Sequence, residues 1–195
     1  MQPTEELLQR CCKDDRRAHL ELYRMSFSFI FSVCRRYHHN KDDVEAALNA
    51  VFFKVIVGMR SYLKKDKKVP FDLWVRRIAL NHITDEYRKN KKYRDLLDQS
   101  VSADQFAETV FDNSDFSVAD EDTVLRAIDK LPAMGKAVFN LHIVEGYKHE
   151  EIAALLDISP NTSKVHLHRA KKQLQEILRP TPKKNLIVSN DETNG

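Results

Sequence analysis

The segment Glu150–Leu178, EEIAALLDISPNTSKVHLHRAKKQLQEIL, decides the fold of the C-terminal part of the chain. Its apolar residues recur at helical spacing in a short first helix that starts at His149 and ends at Leu156. Ser159 is a favoured N-cap and Pro160 a favoured first helical residue, so a second helix begins there and runs to about Leu178. A short helix, a tight turn and a longer basic helix are typical of a helix-turn-helix.

The second helix has two different faces on a helical wheel. Its core stripe contains Ser163, Leu167, Ala170 and Leu174. The opposite side, expected to face solvent, contains Asn161, Val165, His168, Arg169 and Lys172, with Lys164 and Lys171 on its flanks. A basic helix alone is often only a solvated face, but the capped start and the preceding short helix favour binding to duplex DNA. Bases would then be read by Lys164, Val165, His168 and Arg169, and phosphates bound by Lys171 and Lys172.

Three further helices are expected in the N-terminal half. The first has the apolar period Leu22, Met25, Phe29, Val33 and Tyr37; the second starts at Asp42 and Asp43 and has the apolar face Val44, Leu48, Val51, Phe52 and Val55; the third is Phe71–Lys92. A lysine-rich loop or helix end, Ser61–Pro70, separates the last two. Four glycines and the absence of alternating apolar runs argue against a sheet protein. The sequence predicts an all-α chain of two small helical domains joined by an acidic flexible linker.

Charge divides the chain into blocks. Arg60–Arg94 has twelve Lys and Arg against four acids, Asp95–Asp122 has nine acids without Lys or Arg, and Asn161–Arg179 has five Lys and Arg against one acid. Two basic blocks around an acidic one suggest two polyanion-binding units. We therefore expect domains at residues 1–94 and 123–179, an acidic linker at 95–122 and a disordered tail at 180–195. Attraction between the linker and the basic faces would also allow a compact, masked state.

Several functional classes find no support in the sequence. Without about 18 consecutive apolar residues or an apolar leader, we expect no membrane insertion and a cytoplasmic location. Cys11, Cys12 and Cys34 have no CxxC spacing, so we expect reduced, structurally incidental thiols. There is no glycine-rich phosphate loop, nucleophile motif or metal constellation. We therefore expect no enzymatic activity, no cofactor, no metal and no small-molecule substrate.

Two groups of residues resemble regions of one protein family. The C-terminal group resembles region four of bacterial sigma factors: Leu131-Pro132, Ala137-Val138-Phe139, Glu145-Gly146-Tyr147, Glu151-Ile152-Ala153, Leu155, Ile158-Ser159, Thr162, Lys164, Leu167 and Arg169-Ala170-Lys171. The N-terminal group resembles region two: Leu22-Tyr23, Asp43-Val44-Glu45, Val51-Phe52-Phe53-Lys54-Val55, Trp74-Val75-Arg76-Arg77-Ile78-Ala79, Asn81, Asp85 and Arg88. Both regions in this order, without region three between them, resemble the extracytoplasmic-function group of the sigma-70 family.

The resemblance implies a promoter-recognising initiation factor that binds core RNA polymerase, promoter DNA and an anti-sigma factor. Region two would dock on polymerase through Asp43, Glu45, Asn49, Phe52 and Lys54. It would capture the melted minus-ten strand with Lys64, Lys65, Lys67, Lys68, Trp74, Arg76, Arg77, Asn81, Asp85 and Arg88. Region four would bind the minus-thirty-five duplex with Asn161, Thr162, Lys164, Val165, His166, His168, Arg169, Lys171 and Lys172.

Purely structural roles stay open for some of these residues. Trp74 and Phe71 could pack in the core, and Asp85 could pair with Arg88 or Lys89 on the helix surface.

The chain departs from the family pattern at three positions. Ala46 and Ala50 stand where acids are common, so polymerase docking would depend more on apolar contacts such as Phe52. His166 stands where arginine is frequent, which makes one phosphate contact dependent on pH. The alternative is a two-domain helix-turn-helix regulator that never engages polymerase. Such a regulator would normally bind a ligand or dimerise through its first domain, where the sequence offers cations and no pocket signature.

Overall fold

The computed structural model describes residues 2–65, 69–89 and 121–178, apart from the side chains of residues 121 and 122. Within these ranges the regular elements are helical, which confirms the all-α class. The helices are α1 (Glu5–Cys12), α2 (Arg16–Arg35), α3 (Lys41–Leu63), α4 (Phe71–Lys89), α5 (Glu121–Asp129), α6 (Ala133–Phe139), a π-helical turn (Asn140–Val144), α7 (His149–Leu156) and α8 (Pro160–Leu178).

Helices α1–α4 form the N-terminal bundle. Local caps start two of them: the Asp15 carboxylate accepts hydrogen bonds from the backbone N–H groups of Arg17 and Ala18, and Asn40 accepts one from Asp43. Side chains from all four helices are buried together in the core, among them Leu7, Leu22, Ile30, Val44, Leu48, Val51, Val55, Phe71, Val75 and Ile83. By length and composition α3 could cross a membrane. Because α2 and α4 pack on it, we interpret it as the central helix of the bundle.

Helices α5–α8 form the C-terminal domain, in which α8 contacts α5, α6 and α7. Its core contains Leu131, Val138, Leu141, Ile152, Leu156 and Leu174. The π-helical turn follows α6 directly: the backbone N–H of Glu145 donates to the carbonyl oxygen of Asn140, five residues back, over 3.0 Å. This wide turn interrupts what would otherwise be one regular helix from Ala133 to Val144.

The two domains pack against each other, with α4 on α7. The hydroxyl of Tyr87 in α4 donates to the backbone oxygen of Ala133 over 3.1 Å. The Asn140 side-chain amide donates to the backbone oxygen of Arg36 over 2.7 Å. The described residues therefore form a compact arrangement in which direct contacts join the domains.

Local expectations from the sequence are confirmed with a few corrections. Met25, placed on an apolar face, is exposed in the structure because that side of α2 does not face α3 or the bundle core. Ser61–Pro70 is the expected loop or helix end, and its first three residues form the end of α3. Lys67, Lys68, most of the acidic linker (95–120) and the tail (180–195) lie outside the described residues. The division into domains at 1–94, 95–122 and 123–179 stays a prediction.

Candidate nucleic-acid interface

A cavity of about 420 Å³ lies between α3 and α4. It brings together four residues that the sequence singled out for single-strand binding: Lys65, Trp74, Asn81 and Asp85. Lys54, Gly58, Ser61, Tyr62 and Ile78 complete its lining. The cavity thus combines an aromatic wall with cations, an amide and a carboxylate. That combination suits an extruded nucleobase, which needs a stacking surface, polar groups for its edge and positive charge for its backbone.

Trp74 forms the aromatic wall and also packs against neighbours. Its ring stacks on Tyr62, with centroids 4.5 Å apart and planes 28° apart, and tilts against Phe71 at 5.5 Å. Gly58 allows this position, because a Cβ at residue 58 would lie 3.1 Å from Trp74 Cζ2. The packing role left open by the sequence is therefore real. It orients the indole, which remains partly exposed on the cavity side.

The polar side of the cavity lies on α4 and on the facing part of α3. Asn81 and Asp85 are exposed one helical turn apart. Asp85 lies 4.0 Å from Arg88, the edge of ion-pair distance, so the surface pair considered from the sequence is present but long. Lys54 Nζ lies 3.3 Å from His82 Nδ1. Burial, and then the nearby Lys54 charge, lower the pKa of His82, which keeps that ring neutral beside the cavity.

None of the three arginines expected to bind the single strand lines this cavity. Arg76 pairs with Glu145 of the C-terminal domain over 3.2 Å. Arg88 donates to the backbone oxygen of Ala154 in α7. Arg77 is exposed and lines a second cavity, of about 740 Å³, between α4 and the C-terminal domain. Lys64 is exposed next to Lys65 at the end of α3.

The helix-turn-helix is formed by α7 and α8. Asp157, in the left-handed conformation (φ 56°, ψ 50°), ends α7, and Ser159 caps α8 by accepting from the Thr162 N–H over 3.0 Å. His149 and Ser163, which the sequence did not single out as a pair, join the two helices through a 2.9 Å hydrogen bond. Two local caps and one cross-link therefore fix the angle at which α8 leaves the turn.

The predicted DNA-facing residues of α8 fall into three groups. Asn161, Lys164 and Lys172 are exposed, as expected, and Thr162, His168, Arg169 and Lys171 are partly exposed. The expectation that Val165 faces solvent is wrong: it is only 3% exposed. A wheel gives a direction relative to the helix axis and no information about what covers that direction in the folded chain. His166 is also buried, on the flank where Gln173 reaches the Lys130 carbonyl of the helix-turn-helix domain.

The residues expected to meet polymerase lie along α3. Asp43, Glu45, Asn49 and Lys54 are exposed, and Ala46 lies exposed among them. Phe52 is half-buried and contacts Tyr23 edge-on at 5.0 Å. Phe53 and Val57 were not predicted to belong to this surface, yet both are largely exposed on the same helix. Two large apolar side chains in solvent, spaced one helical turn apart, extend this surface towards the cavity.

Comparison with known proteins gives two matches to family models. Residues 22–93 match "Sigma-70 region 2" and residues 121–174 match "Sigma-70, region 4". The sigma factor CarQ of Myxococcus xanthus is 30% identical over 134 residues, covering 69% of this chain and 74% of CarQ. The extracytoplasmic-function (ECF) sigma factor SigE of Mycolicibacterium smegmatis is 26% identical over 163 residues. That match covers 81% of this chain and 60% of the length of SigE.

A solved structure matches the chain at lower sequence identity. It is the sigma factor RpoE in complex with the anti-sigma factor NepR from Bartonella quintana, with 16% identity, a TM-score of 0.47, and coverage of 81% of this chain and 94% of that one. The sequence matches alone decide the family. The chain belongs to the extracytoplasmic-function group of the sigma-70 family and is an RNA polymerase sigma factor, a transcription initiation factor rather than an enzyme.

Proposed function

We propose that this sigma factor directs promoter-specific initiation by capturing one extruded base of the minus-ten strand in the cavity between α3 and α4. The observation that supports this proposal most directly is that Trp74, Asn81 and Asp85 line one cavity together with Lys54 and Lys65. Its volume of about 420 Å³ falls within the roughly 300–1,000 Å³ of small-ligand pockets. Trp74 offers the stacking face, Asn81 and Asp85 offer hydrogen bonds to the base edge, and the lysines attract the phosphates.

The helix-turn-helix binds the minus-thirty-five element as duplex in this proposal. The exposed residues Asn161, Lys164 and Lys172, with the partly exposed His168 and Arg169, form the candidate contact surface. Val165 and His166 are buried, so they contact DNA only if the residues that cover them move away. Asp43, Glu45, Asn49, Phe52 and Lys54 on α3 form the candidate polymerase-binding surface. A cytoplasmic location and control by an anti-sigma factor complete the proposal.

The test is transcription from a promoter library by core polymerase with the purified chain. We expect transcription of a subset of promoters, and we expect Asp85→Asn to relax the preference at one minus-ten position. Loss of one good base contact costs about 1–3 kcal/mol of discrimination. Glu21→Gln, which removes an exposed acid on α2, is the control and leaves the preference unchanged. Identical promoter preferences for Asp85→Asn and the wild type would contradict the assignment of the cavity.

A further inference from the structure

Charged and polar groups contribute to the contact between the two domains. The Asp129 carboxylate of α5 accepts hydrogen bonds from both Nη atoms of Arg35, over 2.9 and 2.5 Å, and from Lys136 Nζ over 2.6 Å. Lys136 has no exposed side-chain surface and also donates to the His38 backbone oxygen over 3.2 Å. Burial lowers the pKa of Lys136, and its hydrogen bond with Asp129 opposes that effect. The C-terminal domain thus holds the end of α2 with ion pairs as well as with backbone hydrogen bonds.

Glu145, at the end of the π-helical turn, is the central residue of this contact. Its side chain is 2% exposed and lies between two arginines of the N-terminal domain. One carboxylate oxygen is 2.9 Å from Arg36 Nη2, and the other is 3.2 Å from Arg76 Nη1. A buried carboxylate between two guanidinium groups depends on both partners, since removing one charge of a buried pair leaves the others uncompensated.

The same contact is incompletely satisfied. Within residues 2–65, 69–89 and 121–178, Arg36 Nε, Arg76 Nε and Asn140 Oδ1 are buried without a hydrogen-bond partner. Each unpaired buried polar atom costs free energy that it would recover in water. Polar interfaces between domains of one chain resemble transient protein–protein interfaces. We call the arrangement with the two domains in contact the closed arrangement. Its ion pairs make it specific, and its unpaired buried polar atoms make the domains easier to separate.

Closure brings acids to cations of α4 that the resemblance to region two assigns to promoter DNA. The 740 Å³ cavity between the domains has Arg76, Arg77 and Asn81 on one side and Glu145 and Glu151 on the other. The Glu145 carboxylate occupies the position on Arg76 that a phosphate would take, because arginine binds both anions through the same guanidinium N–H groups. Glu145 and the DNA backbone consequently compete for Arg76.

Closure is also incompatible with the span of a promoter. Elements centred near minus thirty-five and minus ten are about 25 base pairs apart, or roughly 85 Å at 3.4 Å per pair. Domains in direct contact cannot occupy both. Residues 90–120, which separate the described parts of the two domains, can reach roughly 100 Å when extended at about 3.3 Å per residue. Residues 90–120 are therefore long enough to let the two domains separate to this distance. The contact between the domains is what prevents that separation.

We propose that the free sigma factor is autoinhibited by this interface, with Glu145 clamped between Arg36 and Arg76 as the latch that keeps the helix-turn-helix domain on α4. This inference rests on the proposed function for its biological meaning, although the latch itself is testable without polymerase. Opening exposes the α4 cations and frees the two domains to occupy separate elements.

The experiment uses the full-length chain without polymerase. Small-angle scattering compares the radius of gyration of the wild type with those of Glu145→Gln and Arg36→Gln, which remove the latch from opposite sides. Glu176→Gln, which makes the same charge change as Glu145→Gln at an exposed position of α8, is the matched control for that variant. Far-UV circular dichroism verifies that each variant keeps its helical content. Binding to a random-sequence DNA duplex is measured in parallel.

We expect both latch variants to have a larger radius of gyration than the wild type, and Glu176→Gln to match it. If about a tenth of the wild-type molecules are open, duplex affinity rises roughly tenfold in the latch variants. Unchanged dimensions of both well-folded latch variants would overturn the proposal. If one latch variant loses helical content, the radius of gyration of the other variant tests the proposal. If both lose helical content, the Glu145–Arg36 pair is needed for folding, and the proposal is also overturned. Expansion of the variants without promoter-dependent transcription by any form would support the latch and contradict the proposed function.

Discussion

Gly58→Ala is the most informative single change at the candidate cavity, because it adds one methyl group against the indole of Trp74. The new Cβ would lie 3.1 Å from Trp74 Cζ2, whereas ordinary contacts start at 3.4 Å, so the ring must retreat by 0.3 Å, the difference between the two distances. Tyr62 stacks on the ring at 4.5 Å. The ring also borders the open cavity, which gives it space to move.

Two effects on stability oppose each other in this variant. Replacing glycine by alanine inside a helix stabilises it by about 1 kcal/mol. Overpacking typically costs about 1–3 kcal/mol, and the open side of the indole favours the lower end. We therefore expect the free energy of unfolding to change by less than about 1 kcal/mol. Capture of the single strand should weaken, because the stacking surface shifts. A loss of about 1 kcal/mol, or roughly fivefold, corresponds to the lower end of base–aromatic stacking.

The assays separate these effects. Trp74 is the only tryptophan of the chain, so intrinsic fluorescence of the free protein reports on this ring alone. Urea unfolding gives the stability, and open-complex formation with core polymerase gives the functional effect. Gly135→Ala is the control, because its Cβ would meet Ala170 Cβ at an ordinary 3.7 Å. It should stabilise the chain by up to about 1 kcal/mol without changing the emission.

Two results would refute the reasoning about Gly58. A destabilisation above about 3 kcal/mol would mean that the indole cannot move towards the cavity. An increase in stability like that of Gly135→Ala, with unchanged emission and open-complex formation, would mean that the close approach to Trp74 has no functional importance.

Three further predictions concern the core and the titratable groups. Ile152→Ala in α7, at a fully buried position, should reduce the free energy of unfolding by about 2–5 kcal/mol in urea titration; a loss below 1 kcal/mol would contradict the packing described for the C-terminal domain. Burial raises the pKa of Cys11 to about 11 and that of Cys34 to about 12, so neither thiol should react with iodoacetamide near neutral pH until the chain unfolds. Fast alkylation of either in the folded chain, located by mass spectrometry, would argue against its burial. Burial lowers the pKa values of His38 and His82 below 6.5, so unfolding takes up protons there: their contribution to stability is complete above 6.5 and is lost as the pH falls below it. His38→Gln with His82→Gln should flatten this decline in thermal melts, and an equal decline in the double variant would assign it to other groups.

The helix-turn-helix was predictable because its determinants are local. Ser159 and Pro160 start α8 at the expected residue, and the stripe from Ser163 to Leu174 is buried as the wheel predicts. Helix starts depend on hydrogen bonds within three residues, and a core face depends on the helical period, so both can be read from sequence. The polar members of the cavity, Asn81 and Asp85, followed from the resemblance to region two.

Other features depend on distances that sequence patterns do not contain. Glu145 meets Arg36 across 109 positions of the chain, and no local pattern distinguishes this acid from a solvated one. The burial of Val165 has the same origin, because a wheel cannot include neighbours from elsewhere in the chain. Gly58 lies inside α3, which continues to Leu63, and the glycine makes room for Trp74 from the following helix. Its signal in the sequence was a glycine within an apolar helical run.

The π-helical turn at Asn140–Val144 makes the position of Glu145 depend on the hydrogen-bond pattern of that turn. Successive residues of an α-helix are about 100° apart around its axis, and a π-helical turn holds one residue more than an α-helical turn. If the same residues instead formed a regular α-helix, Glu145 would lie about 100° further around the axis, away from Arg36 and Arg76. A change of this turn from π-helical to α-helical hydrogen bonding would therefore open the latch without any substitution in the residues that contact DNA.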